Sequence, residues 1–154
     1  MNTEITKLEQ FGVDRGKLAV YQVVCLPENI FLSPTPNKFL EPSDAIVFGK
    51  LLKASGVNCA MPADLGLQTQ IYERRADHKW LPITWIIDKL AIPTIIKVIG
   101  ELVASSVKDK IKSAKEKPQA QVHLELYVNE HKGVTKISYE GDEKTLIKIL
   151  KSIE

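Results

Sequence analysis

The sequence predicts a single α/β or α+β domain, and three patterns carry that expectation. An apolar, β-branched run ending in Val23-Val24-Cys25-Leu26 is followed by a proline-rich loop, an amphipathic helix and a second short apolar run at 57–61, a strand–helix–strand unit. Next comes a long apolar stretch read as a pair of helices, and then a period-2 hairpin leading into a closing helix. The domain thus divides into a strand–helix–strand half (1–62), a charged loop (63–80), apolar helices (81–117) and a hairpin plus helix (118–154).

Taken in order, 17–26 is rich in β-branched and aromatic residues and stops at Pro27, which predicts a buried strand containing Val20 and Val23. Pro34 and Pro36 remove backbone donors and fix φ, so 28–41 is expected to be a loop. Pro42-Ser43-Asp44 offers an N-cap to a helix with Ile46, Val47, Leu51 and Ala54 at helical spacing, stopped by Gly56. In 62–80 the alternation of Leu67, Thr69 and Ile71 suggests an exposed strand before the charge run 73–79. Prolines suit a first helical turn, so Pro82 and Pro93 are taken to open two helices, 82–92 and 93–117. The second carries Ile95, Ile96, Ile99, Leu102, Val103, Val107 and Ile111 on one stripe. Val122, Leu124, Leu126 and Val128 alternate with His123, Glu125 and Tyr127, and after a turn at 129–133 a strand over 134–140 returns with Ile137 and Tyr139 on one face. Gly141-Asp142 then caps a helix with Leu146, Ile147, Leu150 and Ile153 on its apolar stripe.

A chain of 154 residues buries enough surface to need neither disulfide nor metal. Its formal charge of +2 is too small for a nonspecific polyanion binder. Cys25 and Cys59 sit in apolar runs without a partner at metal spacing, which predicts free buried thiols and a reducing compartment. The polar, acid-containing N-terminus resembles neither a secretory signal nor a transit peptide, so the expected location is cytoplasmic. Asp88, Lys89, Lys97 and Glu101 break the most apolar segment below the length of a membrane span.

No catalytic constellation emerges. His78, His123 and His131 read as surface histidines, Asp64 as a turn-forming or capping acid, and no glycine-rich phosphate loop occurs. No catalytic residue, cofactor or metal is therefore assigned, and the expectation leans away from an enzyme. The lysines at 108, 110, 112, 115 and 117 lack interleaved aromatics, so nucleic acid is an unfavoured partner.

The surplus of apolar side chains points instead to interaction. Between Trp80 and Ile99 they occupy almost every angle around two consecutive helices, and such helices must be central, membrane-buried or covered by another chain. Trp80, Trp85, Ile86, Leu90 and Ile96 are accordingly expected to present a surface to another protein or to a second copy of the chain. One alternative is a peripheral membrane-surface protein gripping anionic lipid with the downstream lysines, and a second is a small enzyme whose catalytic groups converge from distant segments.

The second half resembles small components of bacterial conflict systems of the effector-associated constant component type. The likeness lies in the apolar helix over 92–117, then Gln121-Val122-His123-Leu124-Glu125-Leu126-Tyr127-Val128, then Lys136-Ile137-Ser138-Tyr139-Glu140-Gly141-Asp142 and the closing helix. It covers about 90 residues. Of the family's small-residue run before the long helix only Asp64-Leu65-Gly66 is represented. The resemblance implies a noncatalytic part working beside an effector or sensor, such as an adaptor or accessory subunit in prokaryotic antiviral defence, and no functional residue is carried over from it.

Overall fold

The structure, a computed structural model, describes residues 3–32, 37–73, 78–111, 121–130 and 133–154. The elements are α1 (Thr3–Gln10), α2 (Arg15–Ala19), β1 (Val23–Leu26), β2 (Phe39–Pro42), α3 (Ser43–Ala54), β3 (Cys59–Ala60), β4 (Thr69–Tyr72), β5 (His78–Ile86), α4 (Ile92–Ile111), β6 (Gln121–Glu130), β7 (Gly133–Asp142) and α5 (Glu143–Ser152). Short 3₁₀ turns occupy Pro62–Leu65 and Lys89–Ala91. A five-stranded mixed sheet in the order β3-β1-β5-β6-β7 forms the frame, with parallel β2 and β4 as a second, two-stranded sheet.

Both faces of the larger sheet are covered, because its inner strands are apolar at successive positions. Val23 and Cys25 of β1, Ile86 of β5 and Val122, Leu124, Leu126 and Val128 of β6 pack in one core with Phe48 and Leu52 of α3, Ile92, Ile95 and Ile99 of α4, and Leu146 and Leu150 of α5. Val24, Leu26, Ile83, Trp85 and Tyr127 point the other way, onto Leu8, Val13 and Leu18 of the N-terminal segment and Ile30 of the following loop. Each such side chain taken fully from water contributes about 1.5–3 kcal/mol before ordering costs.

The mixed α/β class and the strand–helix–strand unit are observed: β1 and β3 pair in parallel, with α3 between them in sequence. The hairpin is observed too, with β6 and β7 antiparallel from Gln121↔Asp142 to Glu130↔Gly133 and Leu124 and Leu126 fully buried. Asp142 caps α5 as expected, its carboxylate accepting from the Thr145 amide at 3.1 Å.

Several expectations are corrected. The first of the two predicted apolar helices is the strand β5, so a single long helix, α4, replaces the pair. A central strand buried on both faces is apolar without alternation, and its periodicity cannot be told from that of a buried helix. The β-branched and aromatic run Ile83-Thr84-Trp85-Ile86 favours the extended form. Pro82 opens no helix. It sits in a bulge where Leu81 and Pro82 together oppose Leu124, since Trp80 registers with His123 and Ile83 with Glu125. A residue without an N–H fits a point where the ladder is interrupted, and the extra residue turns Leu81 into the helix-side core.

The N-terminal strand is shorter than expected. Lys17, Leu18 and Ala19 belong to α2, which Asp14 caps by accepting from the Lys17 amide at 2.9 Å, and Val20 is exposed rather than in the core. Leu51 and Ile137, also expected in the core, are half-buried. Of the expected loop over 28–41, residues 33–36 with Pro34 and Pro36 lie outside the described residues and 39–41 belong to β2, while the expected exposed strand is β4, its parallel partner. Asp44 does not cap α3; it accepts instead from Lys79 Nζ at 3.4 Å and the Trp80 amide at 3.2 Å, tying the helix start to β5.

Candidate functional site

The two ends of the five-stranded sheet are built differently. At one end β3 pairs only over Cys59 and Ala60 before Met61 and the 3₁₀ turn lead the chain away. Asn58 finishes this end: its amide donates to Gln22 Oε1 at 2.9 Å, its Nδ2 to the Val20 carbonyl at 2.7 Å, and its carbonyl accepts from the Gln22 amide at 2.8 Å. Asp64 accepts from the Met61 amide at 2.8 Å and pairs with Lys53 Nζ at 2.8 Å. Lys53 and this amide together hold the Asp64 carboxyl below its usual range.

At the other end β7 is ten residues long and matches β6 at every position without a shift. Among the described residues no strand pairs with its outer side. Neither proline nor bulge interrupts it. Thr135, Lys136, Ser138 and Glu140 are exposed, and Ile137 and Tyr139 lie half-buried against the helix-side core. Lys136 Nζ lies 5.7 Å from the centre of the Tyr127 ring, within cation–π range. A long, regular, unpaired edge presents a row of backbone donors and acceptors that another strand can take up.

Two side-chain clusters carry chemistry. Cys25 Sγ and Cys59 Sγ lie 3.6 Å apart, both buried and free. Their mutual hydrogen bond raises the Cys25 thiol well above its ordinary value and lowers Cys59, which the positive charge of Lys53 also favours as thiolate. Beside them a recess of about 300 Å³ is lined by Glu41, Lys53, Met61 and Asp64. Glu41 accepts from Thr69 Oγ1 at 2.8 Å, and burial pushes its carboxyl above the usual range.

On the opposite face of the sheet, the Trp80 indole stacks on the His123 imidazole with ring centres 4.1 Å apart. The two line a recess of about 200 Å³ together with Glu28, Asn29 and Glu125. His123 Nδ1 is buried without a hydrogen-bond partner, so His123 is not the simple surface histidine expected from strand alternation. Asn29 is committed to the fold, donating to the Lys38 carbonyl and accepting from the Leu40 amide, both at 2.8 Å. The recess brings an imidazole near two carboxylates and contains no hydroxyl, thiol or amine side chain in its lining. No group of three His, Cys, Asp or Glu that could hold a metal occurs among the described residues.

The five residues expected to form a partner surface do not come together as one. Trp85 is 1% exposed, stacked on Tyr127 at 5.2 Å with its Nε1 donating to Asn129 Oδ1 at 2.8 Å, and Ile86 is 0% exposed. Trp80 and Ile96 are half-buried, and Leu90 alone stands out, 82% exposed in the 3₁₀ turn before α4. Central burial, one of the three fates open to an all-round apolar segment, is the one β5 takes. His131 and 112–117 lie outside the described residues, and so do the side chains of His78 and 105–111, which include the first lysines invoked for lipid contact. No described helix is long and apolar enough to cross a membrane.

The sequence singled out no sheet edge, because spacing within one hairpin does not record which strands become its neighbours. No family model, curated protein or solved structure matches the chain.

Proposed function

We propose that this chain is a noncatalytic interaction component, an adaptor or accessory subunit, that docks an extended strand along the open edge of β7. The observation that carries the reading is the ten-residue unshifted edge strand, interrupted by neither proline nor bulge and blunted only by the charges of Lys136 and Glu140. Main-chain pairing gives such a dock affinity, and alternate side chains give it selectivity. The setting beside an effector in a prokaryotic defence system rests on the resemblance of the second half of the sequence.

Amide exchange at β7 tests the reading. In dilute purified protein, β7 amides facing β6 exchange slowly and those facing outward exchange fast. Raising the protein concentration or co-expressing the products of neighbouring genes is expected to slow the outward amides selectively. Outward amides that stay fast at high concentration and in every such complex overturn the edge as the docking element.

A further inference from the structure

The open edge of β7 carries information about what covers it. We infer that its occupant is a second copy of this chain, paired antiparallel through a two-fold axis at Ser138 to give one continuous ten-stranded sheet. The inference rests on the edge-docking reading above and adds the identity and register of the partner.

The register follows from symmetry and charge. A two-fold axis that pairs β7 with itself in antiparallel fashion stands normal to the sheet. It keeps the helices of both copies on one face, and residues brought opposite each other are equally spaced about the axis. In a strand spanning Gly133–Asp142, axes at Ile137 or Ser138 give the longest overlap. An axis at Ile137 sets Lys136 against the partner's Ser138 and Glu140 against the partner's Val134, leaving both charges unanswered. An axis at Ser138 sets Lys136 against the partner's Glu140, and Glu140 against the partner's Lys136, on the face where both are exposed. On the helix side it sets Ile137 against the partner's Tyr139, and by symmetry the reverse. Opposite charges and aromatic–β-branched neighbours are the cross-strand pairs that stabilise antiparallel sheets, and this register supplies two of each.

The helix layer agrees. α5 lies between α4 and the open edge and uses Leu146 and Leu150 for the core. Ile147 and Ile149, on either side of that stripe, are only half-buried. One flank of α5 meets α4, so the other carries a half-exposed isoleucine toward the edge, where the second copy's helix would meet it. An axis at Ile137 loses the charge pairs, and one at Tyr139 shortens the overlap and sets Lys136 against the partner's Asp142, whose carboxylate is already engaged as the cap of α5, so Ser138 is the favoured register.

Light scattering on three proteins decides the matter: the natural chain, Lys136→Glu and Glu140→Lys. Both positions are exposed, and because Lys136→Glu also removes the cation–π contact with Tyr127, the urea midpoint of each variant is measured beside its mass. The natural chain is expected at twice its 17.2 kDa mass. Each variant alone sets like charges against each other twice, and its dimer dissociation constant should rise about tenfold or more. Mixing the two variants should restore a dimer, because every acidic 136 or 140 then meets a lysine. A natural chain that stays monomeric to high concentration overturns the inference, as does a dimer indifferent to both substitutions or a mixture that remains monomeric. Docking of a different partner at β7 is then still read by amide exchange in the co-expressed complex, so the two readings fail separately.

Discussion

The two edges of one sheet show two ways of ending β-structure. The β3 edge is cut to a pair of residues, held by the Gln22–Asn58 bonds and closed by the turn that Asp64 and Lys53 fasten. The β7 edge keeps full length, regular pairing and a balanced Lys136/Glu140 face. The first edge is two residues long and so leaves few backbone groups open, whereas the second leaves a full row to solvent or another strand. The difference puts the long open row of backbone groups at the second edge, although the large side chains of Trp85 and Tyr127 lie in the middle of the sheet.

The strongest way to break the comparison is to remove the support that both edges share. Trp85 lies in β5, between β1 and β6, and fills the N-terminal side of the core against Tyr127. Trp85→Ala is expected to cost about 3–5 kcal/mol in urea unfolding, with protection at β3 and β7 lost together. Loss confined to one edge would show that the ends fold as separate units.

A smaller perturbation acts on the closed edge alone. Gly49 of α3 faces Met61, whose sulfur occupies the space a Cβ would need. Gly49→Ala is expected to destabilise the fold by about 1–3 kcal/mol through overpacking, without altering the oligomeric state. A neutral result would mean that Met61 swings clear toward the recess it lines.

Glu41 sharpens the contrast through pH. Burial raises its folded-state carboxyl above the ordinary value of 4.5, so the folded chain holds that proton more tightly than the unfolded one. This contribution to stability is complete below pH 4.5 and is lost as pH rises through the raised folded value. Glu41→Gln keeps an oxygen for Thr69 and removes the ionisation, so its urea midpoint should exceed that of the natural chain at pH 7 and approach it near pH 4. Equal midpoints at both pH values would refute the assignment.

The smallest effect concerns the clasp itself. Asp64→Asn removes the Lys53 pair, whose side chains are 44% and 38% exposed, and should cost less than about 1 kcal/mol, screened further by salt. Because the Asp64 carboxyl is held low, its contribution is present above pH 3.8 and lost as pH falls through the folded value, opposite in sign to that of Glu41.

Local pattern carried much of this architecture. The alternation over 122–128 fixed which residues of β6 face the helices, because strand periodicity admits one buried set per face, and Leu124 and Leu126 occupy it. Asp142 as the cap of α5, the α4 stripe over Ile95, Ile99, Leu102 and Val103 and the succession of strand, helix and strand follow equally local rules. Tertiary structure alone decided the state of 78–86, since a run apolar at nearly every position is compatible with a buried helix or a central strand, and burial from both sides made it a strand. It also decided the site. The approach of Cys25 to Cys59, the stacking of Trp80 on His123 and the openness of β7 depend on which strands become neighbours. Strand order is set by the packing of the whole sheet, which no spacing within one segment records.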